Sequence, residues 1–420
     1  MTFQIDQDRA YVRAPARSTR YLVVRLTAPD AQARADRLPV NTSLVLDRSG
    51  SMGGGKIRLA KEAVERAIAT LDSRDRFSVV FYDDRIDVVV ESMPASPGAR
   101  AAAREALRRV DARGSTNLFE GWMRGCEQVA LHAGGDVVSR TLLLTDGLAN
   151  VGVTDRFELE SHAAELRRRG VVTSTFGVGH DFDEALLEAI ATAGGGNFYY
   201  IEDARQIADF MTSELGEALE VVARDVRLEV VLPYGAQLEM LGTEQVERIG
   251  PQAWTVGVGD LVARQEREIV LRVNFPYGSP GEHVEVAVAV RDRDGAFGGE
   301  LAAARWLYAD HPTNDRQARN HGVDRLVARL FAARARMDAV ALNKAGDFRR
   351  ASASMAGVAN RIRQYADGDQ ELLGLADELE GEAERKVSAA MAPAMQKEMY
   401  SNASYQRRMR TAEGKAQRRA

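Results

Sequence analysis

Between residues 42 and 218 the chain alternates short, almost wholly apolar runs with longer stretches of helical periodicity. The apolar runs fall at 42–46, 77–82, 87–90, 141–145, 172–178 and 197–201, and the helical patterns at 56–71, 99–110, 118–131, 156–169, 184–193 and 204–215. Continuous apolar strands separated by helices predict a largely parallel sheet covered on both faces. The helix over 156–169 closes on Arg167, Arg168 and Arg169 and then Gly170. Basic residues and a glycine are both favoured at a helix C-terminus.

From about residue 222 the pattern changes to period two. Val226, Leu228, Val230 and Leu232 alternate with Arg227, Glu229 and Val231. Ile269, Leu271, Val273 and Phe275 repeat the pattern, as do Val284, Val286, Val288 and Val290. Such alternation predicts antiparallel strands with one buried face, so 222–310 reads as a β-sandwich. Residues 1–38 hold further extended runs, the clearest at 21–27 (YLVVRLT), and then a polar stretch over 30–37. Because an isolated pair of strands is not stable, 1–38 is expected to complete the sandwich. The α/β domain, 40–218, is then an insertion into it.

After Pro312 breaks the chain, residues 314–391 turn helical and rich in Ala and Arg, with an apolar stripe of Leu326, Leu330, Met337, Val340 and Leu342. Gly346-Asp347 reads as a turn before a helix over 348–365, with a third helix from Glu371. The stretch 341–354 (ALNKAGDFRRASAS) loosely resembles one tetratricopeptide hairpin, but no repeat of that period follows. A stabilising helical hairpin segment is the expectation. Met391, Met395 and Met399 have helical spacing and are expected to pack at a helix end. Residues 392–420 carry Arg407, Arg408, Arg410, Lys415, Arg418 and Arg419 with few acids, and read as a basic, disordered tail.

Composition narrows the function classes. A chain of 420 residues exceeds one compact core, and its net charge of −5 argues against a nucleic-acid binder. The single cysteine, Cys126, allows no disulfide framework and no zinc site of its own kind; inside a helical pattern it reads as a small buried hydrophobe. The first residues are polar, unlike a signal peptide, and no run approaches the roughly 20 apolar residues of a membrane span. A cytoplasmic location without membrane association is the expectation.

The chemistry lies at three strand ends. The first α/β strand runs into Asp47-Arg48-Ser49-Gly50-Ser51-Met52, at the carboxyl end where open α/β sheets place ligand crevices. Ser49 and Ser51 stand at alternate positions, so both hydroxyls can face one point. Thr116 lies in the loop Gly114-Ser115-Thr116-Asn117-Leu118, and Asp146 follows the apolar strand in Leu144-Thr145-Asp146-Gly147. Carboxylates and hydroxyls together suit a hard cation that takes oxygen ligands and keeps some water. Taken singly, a DxSxS is commonly a helix cap, a TDG a turn, and GSTNL an N-cap on Thr116 or Asn117. The three together, in this order, point to a metal site.

On these residues, over roughly 40–218, the sequence resembles the von Willebrand factor type A (VWA) family and its metal-ion-dependent adhesion site. Asp47, Ser49 and Ser51 fill the DxSxS element, Thr116 is the loop threonine and Asp146 the TDG aspartate; Ser115 stands where glycine is common. The resemblance implies a doubly wound, Rossmann-like α/β fold that binds Mg²⁺, or Mn²⁺ or Ca²⁺ in its place. It further implies a coordination position left for an Asp or Glu carboxylate of a partner protein, and a shift of the last VWA helix, over 204–215, on capture. The flanking β-segments are similar to the arrangement in bacterial VWA proteins and in inter-alpha-trypsin inhibitor heavy chains. A metal-dependent, non-enzymatic protein-binding scaffold is the leading expectation.

Other readings are weaker. Gly50–Lys56 (GSMGGGK) mimics a phosphate-binding P-loop, but Ile57 stands where that motif needs Ser or Thr. The six histidines, His132, His162, His180, His283, His311 and His321, show no metal-ligand spacing and no partnered serine, so no catalytic residue is assigned. Asp83-Asp84 follows a strand and reads as a solvated turn. Two alternative functions come from other VWA proteins: an RNA-binding Ro-like protein, supported only by the basic tail, and an accessory subunit regulating an AAA+ ATPase. Nucleic acid is not expected as a partner.

Overall fold

The computed structural model describes residues 2–31 and 36–419, so residues 32–35 of the polar stretch lie outside the described residues. Three strands open the chain: β1 (Thr2–Gln7), β2 (Tyr11–Arg13) and β3 (Ser18–Thr27). The α/β segment begins with β4 (Val40–Asp47), α1 (Lys56–Ala69), β5 (Arg76–Tyr82), β6 (Ile86–Pro94), α2 (Pro97–Arg108) and α3 (Leu118–Ala130). It continues with β7 (Val138–Thr145), α4 (Arg156–Arg168), β8 (Val171–Val178), α5 (Glu184–Ala193), β9 (Gly195–Ile201) and α6 (Ile207–Ala218). Seven strands follow: β10 (Val221–Val231), β11 (Gln237–Met240), β12 (Gln245–Arg248), β13 (Ala253–Val262), β14 (Glu266–Phe275), β15 (His283–Arg291) and β16 (Leu301–Ala309). The last elements are helices α7 (His311–Arg316), α8 (His321–Lys344), α9 (Phe348–Tyr365), α10 (Gln370–Arg385) and α11 (Pro393–Arg407). The architecture is a doubly wound α/β sheet inserted into a β-sandwich, with a helical C-terminal segment.

The chain forms two compact units, one of residues 32–221 with 393–401, the other of 1–31, 222–392 and 402–420. In the α/β unit the sheet order is β6-β5-β4-β7-β8-β9. Every pairing is parallel except β5–β6, which is antiparallel. Strands β4 and β7 are buried along their whole length, which is why they read as unbroken apolar runs. The chain leaves β4 for β5 on one side and later enters β7 on the other, so the strand order reverses between β4 and β7. Such a reversal opens a crevice at the carboxyl ends. Helix α3 lies close over this centre because it carries glycines there. A Cβ on Gly125 would overlap Val45 Cγ2, and one on Gly121 would overlap the Tyr82 ring.

Residues 393–401 pack on α5: buried Lys397 donates to Glu184 and to the carbonyl of Phe182, and Tyr400 donates to Glu188 Oε2 at 2.5 Å. On the other side of the sheet edge, Glu214 of α6 accepts from Ser174 Oγ at 2.5 Å and from Tyr199 OH at 2.6 Å.

The sandwich unit has one sheet of order β1-β3-β14-β11 and another of order β12-β13-β10-β15-β16-β2. Its core holds the inward residues the alternation marks, Val226, Leu228, Val230, Ile269, Leu271, Val273 and Phe275, with Trp254 and Trp306. The β2–β16 pair is parallel, a departure from the antiparallel expectation. The run 21–27 lacks polar alternation because both of its faces are covered. Leu22, Val24 and Leu26 face the sandwich core, while Val23 joins Val270, Val323, Leu326, Val327 and Leu330 in a second cluster beneath α8. The helical segment therefore forms a further layer on this sheet. It holds three successive helices, α8 to α10, with the turn at Gly346-Asp347 and the third helix near Glu371 where the sequence places them, and Pro312 sits in the first turn of α7 as a helix start.

The tail reading is overturned. Residues 393–407 are helical, and the described residues beyond them bond back to the sandwich: Glu266 N donates to Gln417 O at 2.9 Å and Arg419 N to Arg264 O at 2.9 Å. Arg407 Nη2 donates to Gly242 O at 3.0 Å and Arg410 Nε to Gly414 O, while Lys415, Arg418 and Arg419 are exposed. Between them, Ala403, Tyr405, Met409 and Ala416 are buried anchors. Charge counting masked these apolar residues. Of the three methionines, Met391 precedes α11, Met395 is exposed and Met399 is buried.

Two outcomes follow. Helix propensity alone favours alanine over glycine by about 1 kcal/mol, yet Gly125→Ala should destabilise by about 1–3 kcal/mol through its overlap with Val45. Urea unfolding reads the sign directly, and a raised midpoint would contradict the close α3–β4 approach. Lys397→Met keeps the aliphatic bulk but removes the ammonium beside buried Glu184, and should cost about 3 kcal/mol in the same assay.

Candidate functional site

Asp47 ends β4 and is fully buried. Its Oδ1 accepts from Ser49 N at 2.7 Å and its Oδ2 from Thr145 Oγ1 at 2.7 Å. Burial pushes the Asp47 carboxyl up to about 6, against the lowering effect of those donors, and the Asp146 charge adds to the rise. Beyond Asp47 the chain makes a short 3-10 turn, Gly50–Met52, and enters α1 through Gly54 and Gly55 at φ of +67° and +109°. These backbone angles suit glycine. Neither Ser49 nor Ser51 caps α1, whose N-cap is Gly55, so both hydroxyls are available to the crevice.

Ser49 Oγ and Ser51 Oγ lie 3.0 Å apart, and Ser51 Oγ donates to Asp146 Oδ1 at 2.6 Å. Lys56 Nζ donates to Asp146 Oδ2 at 2.6 Å. Thr116 is not the cap of α3 either; Asn117 fills that role, accepting from Glu120 N at 3.3 Å. Thr116 N donates to Asn150 Oδ1 at 3.1 Å, which ties its loop to the segment after β7. Gly50 N donates to Gly114 O at 3.0 Å, which ties the same loop to the turn after β4. The point where a Gly147 side chain would begin is 3.7 Å from both Ser51 Oγ and Thr116 Oγ1. Asp47, Ser49, Ser51, Thr116 and Asp146 are thus gathered around one crevice, with Ser51 exposed and the other four buried.

A charged frame holds these loops. Arg48 Nε donates to Asp83 Oδ2 at 3.1 Å and Arg113 Nε to the same oxygen at 2.7 Å, while Arg113 N donates to Arg48 O at 2.7 Å. Asp87 completes the frame as the second partner of both guanidiniums. Burial raises the Asp83 carboxyl, but Arg113, the Arg85 N–H and Arg48 outweigh it and hold the group below its ordinary value. Reading Asp83 as a solvated turn residue was therefore wrong: its side chain is buried and paired. The available signal was an arginine inside the DxSxS element and another just before the threonine loop. Lys56, read against a P-loop, was also missed as a partner of Asp146.

The donor set fits a hard divalent cation. All five side chains offer oxygen, and among the described residues no protein cation pairs with buried Asp47. A buried carboxylate without a cation is costly, so an ion there would offset its charge. Among the described residues no group of three or more His, Cys, Asp or Glu is arranged to hold a metal; this set has two carboxylates and three hydroxyls. Leu148, next along from Gly147, is an exposed aliphatic residue at the rim.

Comparison with known proteins bears on the domain type and the fold. Residues 43–213 match the model of the von Willebrand factor type A domain, and the α/β unit is a domain of that type. An uncharacterised protein of Synechocystis is 32% identical over 63% of this chain and 65% of its own length. Inter-alpha-trypsin inhibitor heavy chain H1 of Sus scrofa is 29% identical over 46% of this chain and 22% of its own. The chain thus spans less than two thirds of either relative. Among solved structures, a von Willebrand factor type A protein from Catenulispora acidiphila superposes with a TM-score of 0.69 at 21% identity, covering 93% of this chain and 97% of that one. That likeness extends the shared fold to nearly the whole chain. Among the described residues no helix is long and apolar enough to cross a membrane.

Cys126 lies in α3, fully buried, and burial pushes its thiol up to about 12. It should resist alkylation by iodoacetamide in the native protein and react fully once guanidinium chloride unfolds the chain. Rapid native-state labelling, read by mass, would contradict the packing of α3.

Proposed function

We propose that the protein is a cytoplasmic, non-enzymatic scaffold that binds a partner protein through a divalent ion held by Asp47, Ser49, Ser51, Thr116 and Asp146. The observation that carries this reading is the convergence of three loops on one crevice. Ser49, Ser51 and Asp146 stand within hydrogen-bonding reach of one another in sequence, and Thr116 faces them across Gly147. The ion is Mg²⁺, with Mn²⁺ or Ca²⁺ as substitutes, since the donors are hard oxygens. When bound, it supplies a positive centre able to take a carboxylate oxygen.

The residues explain why that carboxylate would come from outside. Three of the five donors are neutral hydroxyls, so the ligand set does not surround the ion with acids. Ser51 is exposed, so the crevice opens to solvent on its side. An Asp or Glu of a partner protein is the group of matching charge and hardness, and such contacts are directional and charge-assisted. VWA domains commonly mediate protein–protein contacts, which supports the same class of function. The RNA-binding reading rests on the basic C-terminus alone, and two of its arginines, Arg407 and Arg410, already donate to main-chain carbonyls within the fold.

Calorimetric titration should show Mg²⁺ or Mn²⁺ binding to the wild type, and loss of that heat in Asp47→Ala and Thr116→Ala. A partner captured in Mg²⁺ should be released by EDTA and should not be captured by Asp47→Ala. A complex that survives both changes would place the docking surface elsewhere.

A further inference from the structure

Lys56 is the first residue of α1 and the wrong residue for that position. A helix N-terminus carries partial positive charge and favours acids, yet the first turn of α1 holds no acidic side chain. The ammonium instead bends back to Asp146 Oδ2, 2.6 Å away, and the Asp146 side chain is fully buried while that of Lys56 is one-third exposed. The three glycines Gly53, Gly54 and Gly55 make this possible, with positive φ at Gly54 and Gly55 bringing the start of α1 over the crevice. A locally unfavourable residue held by a specific partner is a common mark of a functional position.

The charges define its role. Asp47 and Asp146 bring two negative charges to neighbouring strand ends. Asp146 has Ser51 on one oxygen and Lys56 on the other. A divalent ion entering the same crevice meets an ammonium already seated on one of its two carboxylates, and like charges at such range repel.

We propose that Lys56 is a tethered counter-cation of this site: it neutralises Asp146 in the metal-free protein and competes with the divalent ion. Metal loading releases its ammonium to the exposed rim, where it stands beside the position of the partner's carboxylate. The residue therefore weakens the site's affinity for metal and strengthens the metal-free fold. This proposal rests on the metal reading above.

The test is calorimetric titration of the full chain with Mg²⁺ and Mn²⁺, together with thermal unfolding in chelator, for wild type, Lys56→Gln and Arg58→Gln. Arg58 lies in the same helical turn, is exposed and pairs with Glu62, so its variant removes an equal charge without touching Asp146. Lys56→Gln should tighten metal binding roughly fivefold to tenfold and lower the unfolding temperature of the metal-free protein; Arg58→Gln should do neither. The direction in chelator is diagnostic, because relieving a mismatch with the helix dipole alone would raise that temperature. Unchanged or weaker binding in Lys56→Gln, with the wild type binding normally, overturns the competition and leaves the metal site standing. Absence of binding in every variant overturns the metal reading and this proposal with it. Binding by Lys56→Gln where the wild type shows none supports both.

Discussion

Strands β4 and β7 are hydrogen-bonded neighbours, with Leu46 opposite Leu144, so the residues that leave their carboxyl ends have no freedom to separate. Parallel strands lie about 4.8 Å apart, and Asp47 and Asp146 emerge on that spacing. Both are buried. Repulsion between them is moderated by hydrogen bonds from Ser49 N and Thr145 to one carboxylate, and from Ser51 and Lys56 to the other. The arrangement explains two of the hydroxyl residues at this end of the sheet, since Ser51 and Thr145 each donate to a buried carboxylate. It also explains the Arg48–Asp83–Arg113 frame, which keeps the turn after β4 and the threonine loop at fixed distance from the two acids.

Much of this was legible in the sequence because the determinants are local. An apolar run that ends in Asp47 or Asp146 announces both a buried parallel strand and a polar terminus, and the order of the three motifs matches the order of the elements. The β-sandwich was legible for a similar reason, through alternation at Val226, Leu228 and Val230. The remainder depended on partners distant in sequence. Nothing near Asp83 shows that Arg48 and Arg113 will bury it, and nothing near Val23 shows that Leu326 and Leu330 will cover it. The C-terminus misled because its arginines were counted as charges. In the fold Arg407 and Arg410 are donors to carbonyls, and Tyr405 and Met409 are buried in the same stretch.

The two sheets of the sandwich unit are not equivalent in their surroundings. The sheet containing β3 and β14 is covered on its second face by α8, so these two central strands add apolar residues on that face, as at Val23 and Val270, while its edge strands β1 and β11 alternate. The sheet containing β10 and β15 leaves alternate positions polar, and there Arg291 pairs with Glu229 and Arg305 with Glu285. One sequence pattern therefore marks a sheet with a single buried face, and a denser one marks a sheet with two.

The pairing of β3 with β14 brings Thr19 and Asn274, 255 residues apart, into hydrogen-bonding contact at 2.7 Å. A ribosome delivers the whole inserted domain before it delivers the strand that β3 needs. During that interval Leu22, Val24 and Leu26 have only β1 beside them and no facing sheet, and an apolar strand with an open edge is an aggregation hazard. Synthesis thus imposes a sequence of events in which the six-stranded sheet of the inserted domain is complete early, while its host waits for its own second half and the segment 393–401 docks on the inserted domain last.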